Sequence, residues 1–374
     1  MALTNQLIKI IMPLLLSLLL LLPYTVLAAE SQQYPNIIAL GNISPIASEE
    51  GLSSPIIIWK HQSSTYPGDA TLDVFLKTST LTAGFTHQIT SEIKLGYEVS
   101  GTILTEGYGS DIYINGSRTT DLIFVGNSLM INIIAWYPFN EFWSIQAAIA
   151  RQSLWFEDAE KNSSDFTLPD NHEVDQNTAT IYYEGSVLSD KDEFKCVVSN
   201  GKRSQWHDWG LDNNASSKKE YNQFRLKLKN TFKQHEFGHL TTSLSAGTGT
   251  DMDIISGYRI GGMAGQYVVV GYYRNEFRVK DAVVLNISQE IEFAKDRKLK
   301  ILADIASFRR FDFDYLDATP KAQTIGGLGL SYYYGIRLLQ GLPIIVVYGE
   351  GLNVHKDSKE NHRREISVVT AVAF

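Results

Sequence analysis

The chain has 374 residues, and its 33 Lys and Arg residues against 41 Asp and Glu residues give a formal net charge of −8. This acidic balance argues against nucleic acid as a partner, because nucleic-acid-binding surfaces are basic. The single cysteine, Cys196, excludes an internal disulfide, so hydrogen bonds and packing must hold the fold together.

The amino-terminal residues have the pattern of a secretory signal peptide. Lys9 precedes an apolar run that ends at Leu22, and the small residues Ala28 and Ala29 follow. A transmembrane anchor is the alternative, but the apolar run is short for one. The sequence therefore predicts a signal peptide at 1–29, a short periplasmic segment at 30–53 and a membrane-embedded domain at 54–374.

Long stretches of alternating apolar and polar residues occupy most of the remaining chain. Tyr97 and Val99 alternate with Glu98 and Ser100, and later stretches repeat the pattern over roughly 10 to 16 residues. Strands of soluble sandwiches are usually about 5 to 6 residues long, whereas a tilted strand needs about 9 to 11 to cross a bilayer. In lipid such strands must close into a barrel, with apolar residues outward and polar residues toward the lumen. We therefore predict an all-β fold, a transmembrane antiparallel β-barrel.

Turns and longer polar connections alternate along the chain, as they do in outer-membrane barrels. The alternating stretches, counted from residue 54, number about 14. Residues before 54, the uneven stretch 70–89 and the long connection 251–279 leave room for another pair, so we expect a barrel of 14 to 16 strands. An even number places both ends of the barrel in the periplasm. The 19 tyrosines and 6 tryptophans suit the aromatic girdles of such a barrel.

One short motif suggests a different chemistry. His235-Glu236-Phe237-Gly238-His239 matches the H-E-x-x-H string of zinc metalloproteases, which binds zinc only when it lies on a helix. Its flanks alternate with a period of two, and Ser245 stands where a third histidine ligand would lie. We interpret the string as a hairpin turn, and expect no metal site, no catalytic residues and no cofactor.

The last 160 residues or so resemble a known family. They include SGYRIGGMAGQYVVVGYYRNEFRVKDAVVLNISQEIEF at 256–293, LKILADIASF at 299–308 and the terminal ISVVTAVAF at 366–374. These stretches are similar to the barrel of the bacterial surface-antigen superfamily, whose members include the barrel-assembly protein BamA and two-partner secretion transporters. The transporters carry periplasmic POTRA domains before the barrel, and no such domain fits between 30 and 53.

The resemblance implies a loop that folds into the lumen and an acidic wall residue that helps to hold it. Gly271 and Tyr272 match the family's Gly-aromatic pair, whereas Val270 stands where the family has arginine. We expect Arg274 to substitute, with Glu276 as its partner on the loop. The expected wall anchor is Asp304, Glu290 or Glu292. Phe374 resembles the carboxyl-terminal signal by which barrels are recognised for insertion.

Two classes of function stay open. By resemblance, the barrel assembles or translocates protein or other macromolecules at the bacterial outer membrane. The alternative is a porin-like or structural barrel. A more distant one is a surface hydrolase, for which the candidate histidines are His87, His207 and the pair His235 and His239. The expected partners are outer-membrane lipid, the barrel-assembly machinery during insertion and a separate periplasmic protein. A short, polar first strand paired weakly to 363–374 would favour translocation.

Overall fold

The computed structural model describes most of the chain after residue 35. The described residues are 36–45, 54–66, 70–77, 80–90, 92–102, 106–107, 113–114, 117–118, 124–158, 166–207, 209–211, 219–234, 238–253, 255–262, 266–273, 276–294, 296–311, 322–336, 342–352 and 363–373. The predicted signal peptide at 1–29 and the predicted insertion signal Phe374 lie outside them.

Within these residues the fold is a closed antiparallel β-barrel. One sheet contains 19 strands, of which three are short additions to the wall, so sixteen long strands form the ring. They are β1 (Asn36–Pro45), β2 (Ser54–Tyr66), β3 (Ala70–Lys77), β4 (Thr80–Gln88), β5 (Lys94–Thr102), β6 (Phe124–Pro138), β7 (Trp143–Asp158), β8 (His172–Gly185), β9 (Lys191–Arg203), β10 (Glu220–Gln234), β11 (Gly238–Thr250), β12 (Phe277–Ala294), β13 (Arg297–Arg310), β14 (Ala322–Ile336), β15 (Leu342–Leu352) and β16 (Arg363–Ala373).

The predicted all-β barrel is thereby confirmed, at the upper value of the predicted strand count. Two boundaries were wrong. Residues 36–45 are not part of a periplasmic segment, because they form β1, which pairs with both β2 and β16 and closes the ring. Stretch 70–89 is not one strand, because the chain reverses after Lys77 and the two halves pair as β3 and β4. These two corrections supply the additional pair of strands.

Apolar side chains on the outer face explain why these strands form a barrel. Ile131 on β6, Ile149 on β7, Val283 on β12 and Leu328 on β14 are 50–56% exposed. Their neighbours along each strand point into the lumen, where Ile134, Val284 and Ala306 are buried. In a bilayer the outer residues would contact lipid and every paired strand would satisfy its backbone groups. The described residues contain no helix with the length and hydropathy needed to span a membrane.

The H-E-x-x-H string lies at a hairpin position rather than on a helix. Strand β10 ends at Gln234, β11 begins at Gly238, and the two residues are paired across the hairpin. Gly238 has a φ of +78°, a conformation that favours glycine, and His239 pairs with Lys233. Residues 235–237 lie outside the described residues. The connection belongs to the set of short turns, and we call this end of the barrel the short-turn end.

The segment after β11 returns into the barrel instead of extending into solvent. Two short strands, Tyr258–Gly261 and Tyr267–Val268, pair with each other in parallel, and the first also pairs with the start of β12. We call residues 252–276 the inserted segment. Its apolar side chains join wall residues in one buried core, in which Ile260, Val269, Val284 and Ala306 are fully buried.

Candidate functional site: the inserted segment and its attachment to the wall

The tip of the inserted segment is attached to the wall by Asp304 on β13. The backbone N–H of Val270 donates to Asp304 Oδ2 over 2.9 Å. Asn286 lies on β12 and is paired with Asp304 across the sheet. Its side-chain amide donates to Asp304 Oδ1 over 2.8 Å and to the carbonyl oxygen of Val268 over 2.9 Å. Asp304 is buried, so these hydrogen bonds offset the cost of taking its carboxyl group out of water.

Glycines on β14 and β15 allow the tip to lie directly on the wall. Gly327 and Gly349 face the lumen, and a side chain at either would overlap the backbone of Val270 or Gly271. Gly271 itself has a φ of +86°, and a methyl group there would overlap the backbone at Glu350 and Gly351. Contact between the two backbones therefore requires glycine on both sides.

Tyr272 and Glu276 hold the returning part of the segment. The Tyr272 hydroxyl donates to the carbonyl oxygen of Leu352 at the end of β15. Its ring packs against Phe277, which in turn packs against Phe308 of β13 with ring centroids 4.9 Å apart. The Glu276 carboxylate accepts the N–H of Tyr273 over 3.0 Å and is buried. Glu276 thus fixes the turn that leads into β12.

The far end of the segment is attached by a buried ion pair that the sequence did not reveal. Arg203 at the end of β9 contacts Asp253 Oδ1 over 3.1 Å, and their side chains are 2% and 1% exposed. The same guanidinium donates to Ser256 Oγ over 3.0 Å. It also lies over the rings of Trp206 and Tyr221, at 4.3 Å and 4.5 Å from their centroids. Carboxylate, hydroxyl and ring faces together compensate the buried charge.

Between these two attachments, Tyr258 crosses from the segment to the wall. Its hydroxyl lies 2.9 Å from the Phe224 carbonyl oxygen and 2.8 Å from that of Thr248, on adjacent strands β10 and β11. Burial raises the pKa of Tyr258 to about 12, so the hydroxyl remains a donor at physiological pH. Tyr267, whose ring packs 5.7 Å from that of Tyr258, donates to the Ala246 carbonyl oxygen.

The predicted site residues fall into three groups. Gly271, Tyr272, Glu276 and Asp304 lie together at the attachment just described. Glu290 and Glu292 lie near the short-turn end of β12, where both contact Lys298 of β13 over 3.2 Å and 3.9 Å. Arg274 lies outside the described residues. Val270 stands where the resembled family has arginine. Its backbone N–H, rather than a side chain, contacts the Asp304 carboxylate.

Sequence reasoning missed several attachment residues. Asn286 and Arg203 have no distinguishing pattern in the sequence, because a polar residue on the inner face is the general expectation in a barrel. A usable signal was present on β14 and β15. Gly327 and Gly329, and likewise Gly349 and Gly351, repeat with a period of two on the inner face, and glycine in a strand often marks the close approach of another backbone.

The seam between the first and last strands is closed. Strands β1 and β16 pair in register from Ile37–Ala373 to Pro45–Glu365. Among the described residues this pairing covers nine positions, against eight for β15–β16 and eight for β1–β2. The seam is therefore as extensively paired as its neighbours. A weakly paired first strand, which would have favoured translocation over a porin-like role, is not observed, so the seam does not support translocation by that criterion. The first strand is β1 rather than 54–61.

The inserted segment also reaches this last strand. The Glu365 carboxylate of β16 lies close to Gly262, where a side chain would come within 2.5 Å and 2.6 Å of its two oxygens. Glu365 is buried and pairs in register with Pro45 of β1. The segment therefore contacts the barrel from β9, at Arg203, around to the seam.

A closed barrel with a folded-in, wall-attached segment defines a class of outer-membrane fold, and comparison with solved structures identifies it. The chain is similar to CdiB from Acinetobacter baumannii, with a TM-score of 0.59, 10% sequence identity and coverage of 90% of this chain and 60% of that one. For CdiB from Escherichia coli the TM-score is 0.61, with 9% identity and coverage of 91% and 64%.

The barrel of BamA from Haemophilus ducreyi lacking POTRA domains 1–3 is equally similar. Its TM-score is 0.60, with 11% identity and coverage of 91% of this chain and 71% of that one. The chain thus has the BamA and CdiB barrel fold, and it spans about 60% of the length of the first of these structures. No protein-family model and no curated protein sequence matches it.

Proposed function

We propose that this protein is a bacterial outer-membrane barrel that inserts or translocates macromolecules, with protein as the first candidate, and that it is not an enzyme. The observation that carries the proposal is the inserted segment, attached to the wall through Asp304 and Arg203. The neighbouring folds, CdiB and BamA, support the same class of role. Outer-membrane lipid, the machinery that inserts barrels and a periplasmic protein are the partners proposed with it.

A porin-like role is less consistent with this arrangement. A diffusion pore needs a continuous aqueous path, whereas the segment takes up part of the lumen, where its Ile260 and Val269 share a buried core with Val284 and Ala306 of the wall. The segment therefore reduces the space through which large solutes could diffuse. Under the proposal the wall opens at the seam, where nine residue pairs among the described residues join β1 to β16.

A disulfide across the seam tests the proposal. Ala39 and Ala371 are opposite each other on β1 and β16, and cysteines there, in a Cys196→Ser background, would lock the seam. Ala147 and Ala179, opposite each other on β7 and β8, give a matched control pair. Each version would complement a deletion strain, and quantitative proteomics would compare outer-membrane and secreted proteins.

We expect the deletion to deplete specific outer-membrane or secreted proteins. The control-locked protein should restore them, whereas the seam-locked protein should restore them only after reduction. Bilayer recordings add a second readout, in which wild type should show little steady conductance. A deletion strain with unchanged outer-membrane and secreted proteins, together with a large constitutive conductance, would replace the proposal with a porin-like role.

A further inference from the structure

A cavity of about 390 Å³ lies on the inner wall at β4, β5 and β6. Tyr97 and Val99 of β5 and Ile131 and Ile133 of β6 are exposed on the outer face, so their sequence neighbours face the lumen. Apart from Tyr97, the lining residues belong to that inner set. Gly84, Gly96 and Ile134 are among them, and the polar, sulfur-containing and aromatic inner residues are Thr82, Thr86, Glu98, Ser100, Met130 and Trp136.

One wall of the cavity is the indole of Trp136. A side chain at Gly96 would meet two atoms of its six-membered ring, Cη2 and Cζ3, at 2.5 Å, so the ring lies directly against the glycine. The hydroxyl of Thr86 is next to the same position, at 3.2 Å. The ring can occupy this position only because residue 96 has no side chain. The half-buried indole also forms part of the cavity surface.

The formal charge in the cavity comes from Glu98. It lies two residues beyond Gly96 on the inner face of β5, opposite Asn132 of β6. Glu98 is half-buried and forms no ion pair with another described residue. Lys94, opposite Trp136, is exposed and does not line the cavity. A cationic guest would give this carboxylate a partner of opposite charge.

From this geometry we propose that the cavity is a binding site for an organic cation, such as an ammonium group. An aromatic face attracts cations through its quadrupole, and the polarizable Met130 thioether and the hydroxyls of Thr82 and Thr86 offer further acceptor contacts. Glu98 supplies the charge. A cavity of this volume lies within the usual range for small-molecule sites, roughly 300–1,000 Å³. The carboxylate would repel an anion.

The ammonium group could belong to a free polyamine or to a lysine on a polypeptide in the lumen. Binding of spermidine and of hexalysine to the mature protein in detergent micelles separates these sources. Isothermal titration at fixed ionic strength gives the affinities, and the part of the tryptophan fluorescence change that Trp136→Leu removes reports on Trp136. Similar affinities indicate a free amine, and at least tenfold tighter binding of hexalysine indicates a polypeptide. Either result supports the site, which does not depend on the proposed function.

Variants connect binding to the cavity. Glu98→Gln and Trp136→Leu should each weaken binding at least tenfold, and Gly96→Val should do the same by displacing the indole. Glu92→Gln removes the same charge from the exposed turn before β5 and should leave binding unchanged. Heat-modifiable migration in gels confirms that each variant is folded. Absence of saturable binding by both probes, or equal losses in Glu92→Gln and Glu98→Gln, would overturn the proposal.

Discussion

The Arg203–Asp253 pair should control how firmly the inserted segment is attached. Arg203→Met removes the guanidinium but keeps an apolar stem, and leaves the Asp253 carboxylate buried without its ion-pair partner. Breaking a buried pair in this way typically costs about 3–5 kcal/mol. Asp253 Oδ1 would still accept hydrogen bonds from the Ser256 N–H over 2.8 Å and from the Ser256 hydroxyl. We therefore expect the lower value, about 3 kcal/mol.

This energy should appear as local opening rather than global unfolding, because the wall strands remain paired. At about 1.4 kcal/mol for each factor of ten, amide hydrogen exchange in residues 255–262 should lose protection by about 100-fold. Exchange followed by mass spectrometry in detergent micelles measures it. Protection in wall strands such as β7 should stay unchanged and serves as an internal reference.

Two comparisons make the reasoning refutable. Lys202→Met removes an exposed pair with Glu220, both side chains being 58% exposed, and such pairs contribute about 0–1 kcal/mol. Its effect on exchange should be less than tenfold. Asp253→Asn added to Arg203→Met removes the unpaired charge and should recover most of the lost protection. Strictly additive losses in the double variant, or equal effects of Arg203→Met and Lys202→Met, would show that the buried pair does not hold the segment.

Two further predictions follow from the backbone geometry. Gly271→Ala should detach the tip and make residues 266–273 sensitive to added protease, because an L-residue at φ +86° is strained by about 1–2 kcal/mol and its methyl group overlaps β15. Gly326→Ala is the control, since the nearest contact of its methyl group would be an ordinary 3.5 Å. Equal protease resistance of the two variants would contradict the contact between the tip and β15. His235→Ala and His239→Ala should leave folding intact, since the H-E-x-x-H string joins two paired strands. Elemental analysis of the wild-type protein should find no stoichiometric zinc. One tightly bound zinc that either variant loses would disprove the hairpin interpretation.

Strand pattern was the most readable part of this sequence. Period-two alternation predicts a strand whenever one face meets lipid and the other the lumen, and β14 followed it closely. Strand β12 departs from it at its first residues, 277–279, which are buried in succession. The pattern failed where a turn carries no strong signal. The two residues between Lys77 and Thr80 join β3 to β4, and stretch 70–89 has no Asn-Gly or Pro-Gly pair to mark the reversal.

Strand β1 was missed for a different reason. Its residues, NIIALGNISP, are short, include Gly41 and end in proline, which lowers their apparent strand propensity. Their position is fixed by partners more than 300 residues away in sequence, on β16. Local propensity cannot report such a pairing, because the stabilising contacts come from closure of the ring.

The attachment site shows the same division between local and long-range information. Gly271 and Tyr272 were found because a short motif carries them, and Asp304 because the resemblance marks its strand. Arg203 and Asp253 are separated by 50 residues and form one unit only through the fold. A buried pair between distant residues leaves no periodicity in the sequence, so the sequence could not have indicated it.

The pairing of the wall also bears on how such a barrel could release a client. Among the described residues, neighbouring strands share seven to nine residue pairs in the part of the ring that runs from β15–β16 through the seam to β5–β6. In the part from β6–β7 to β10–β11 they share twelve to fifteen. The inserted segment is attached mainly outside this short-paired region.

Even the shorter pairings cannot simply separate in lipid. Each unsatisfied backbone group there costs several kcal/mol, so an open seam of nine pairs would be prohibitively unstable unless another strand took the place of the lost partner. Under the proposed function, a client crossing the seam must therefore pair as a strand with β1 or β16 while it passes. A client that cannot form strands would have to leave through the lumen, past the segment held by Arg203 and Asp304.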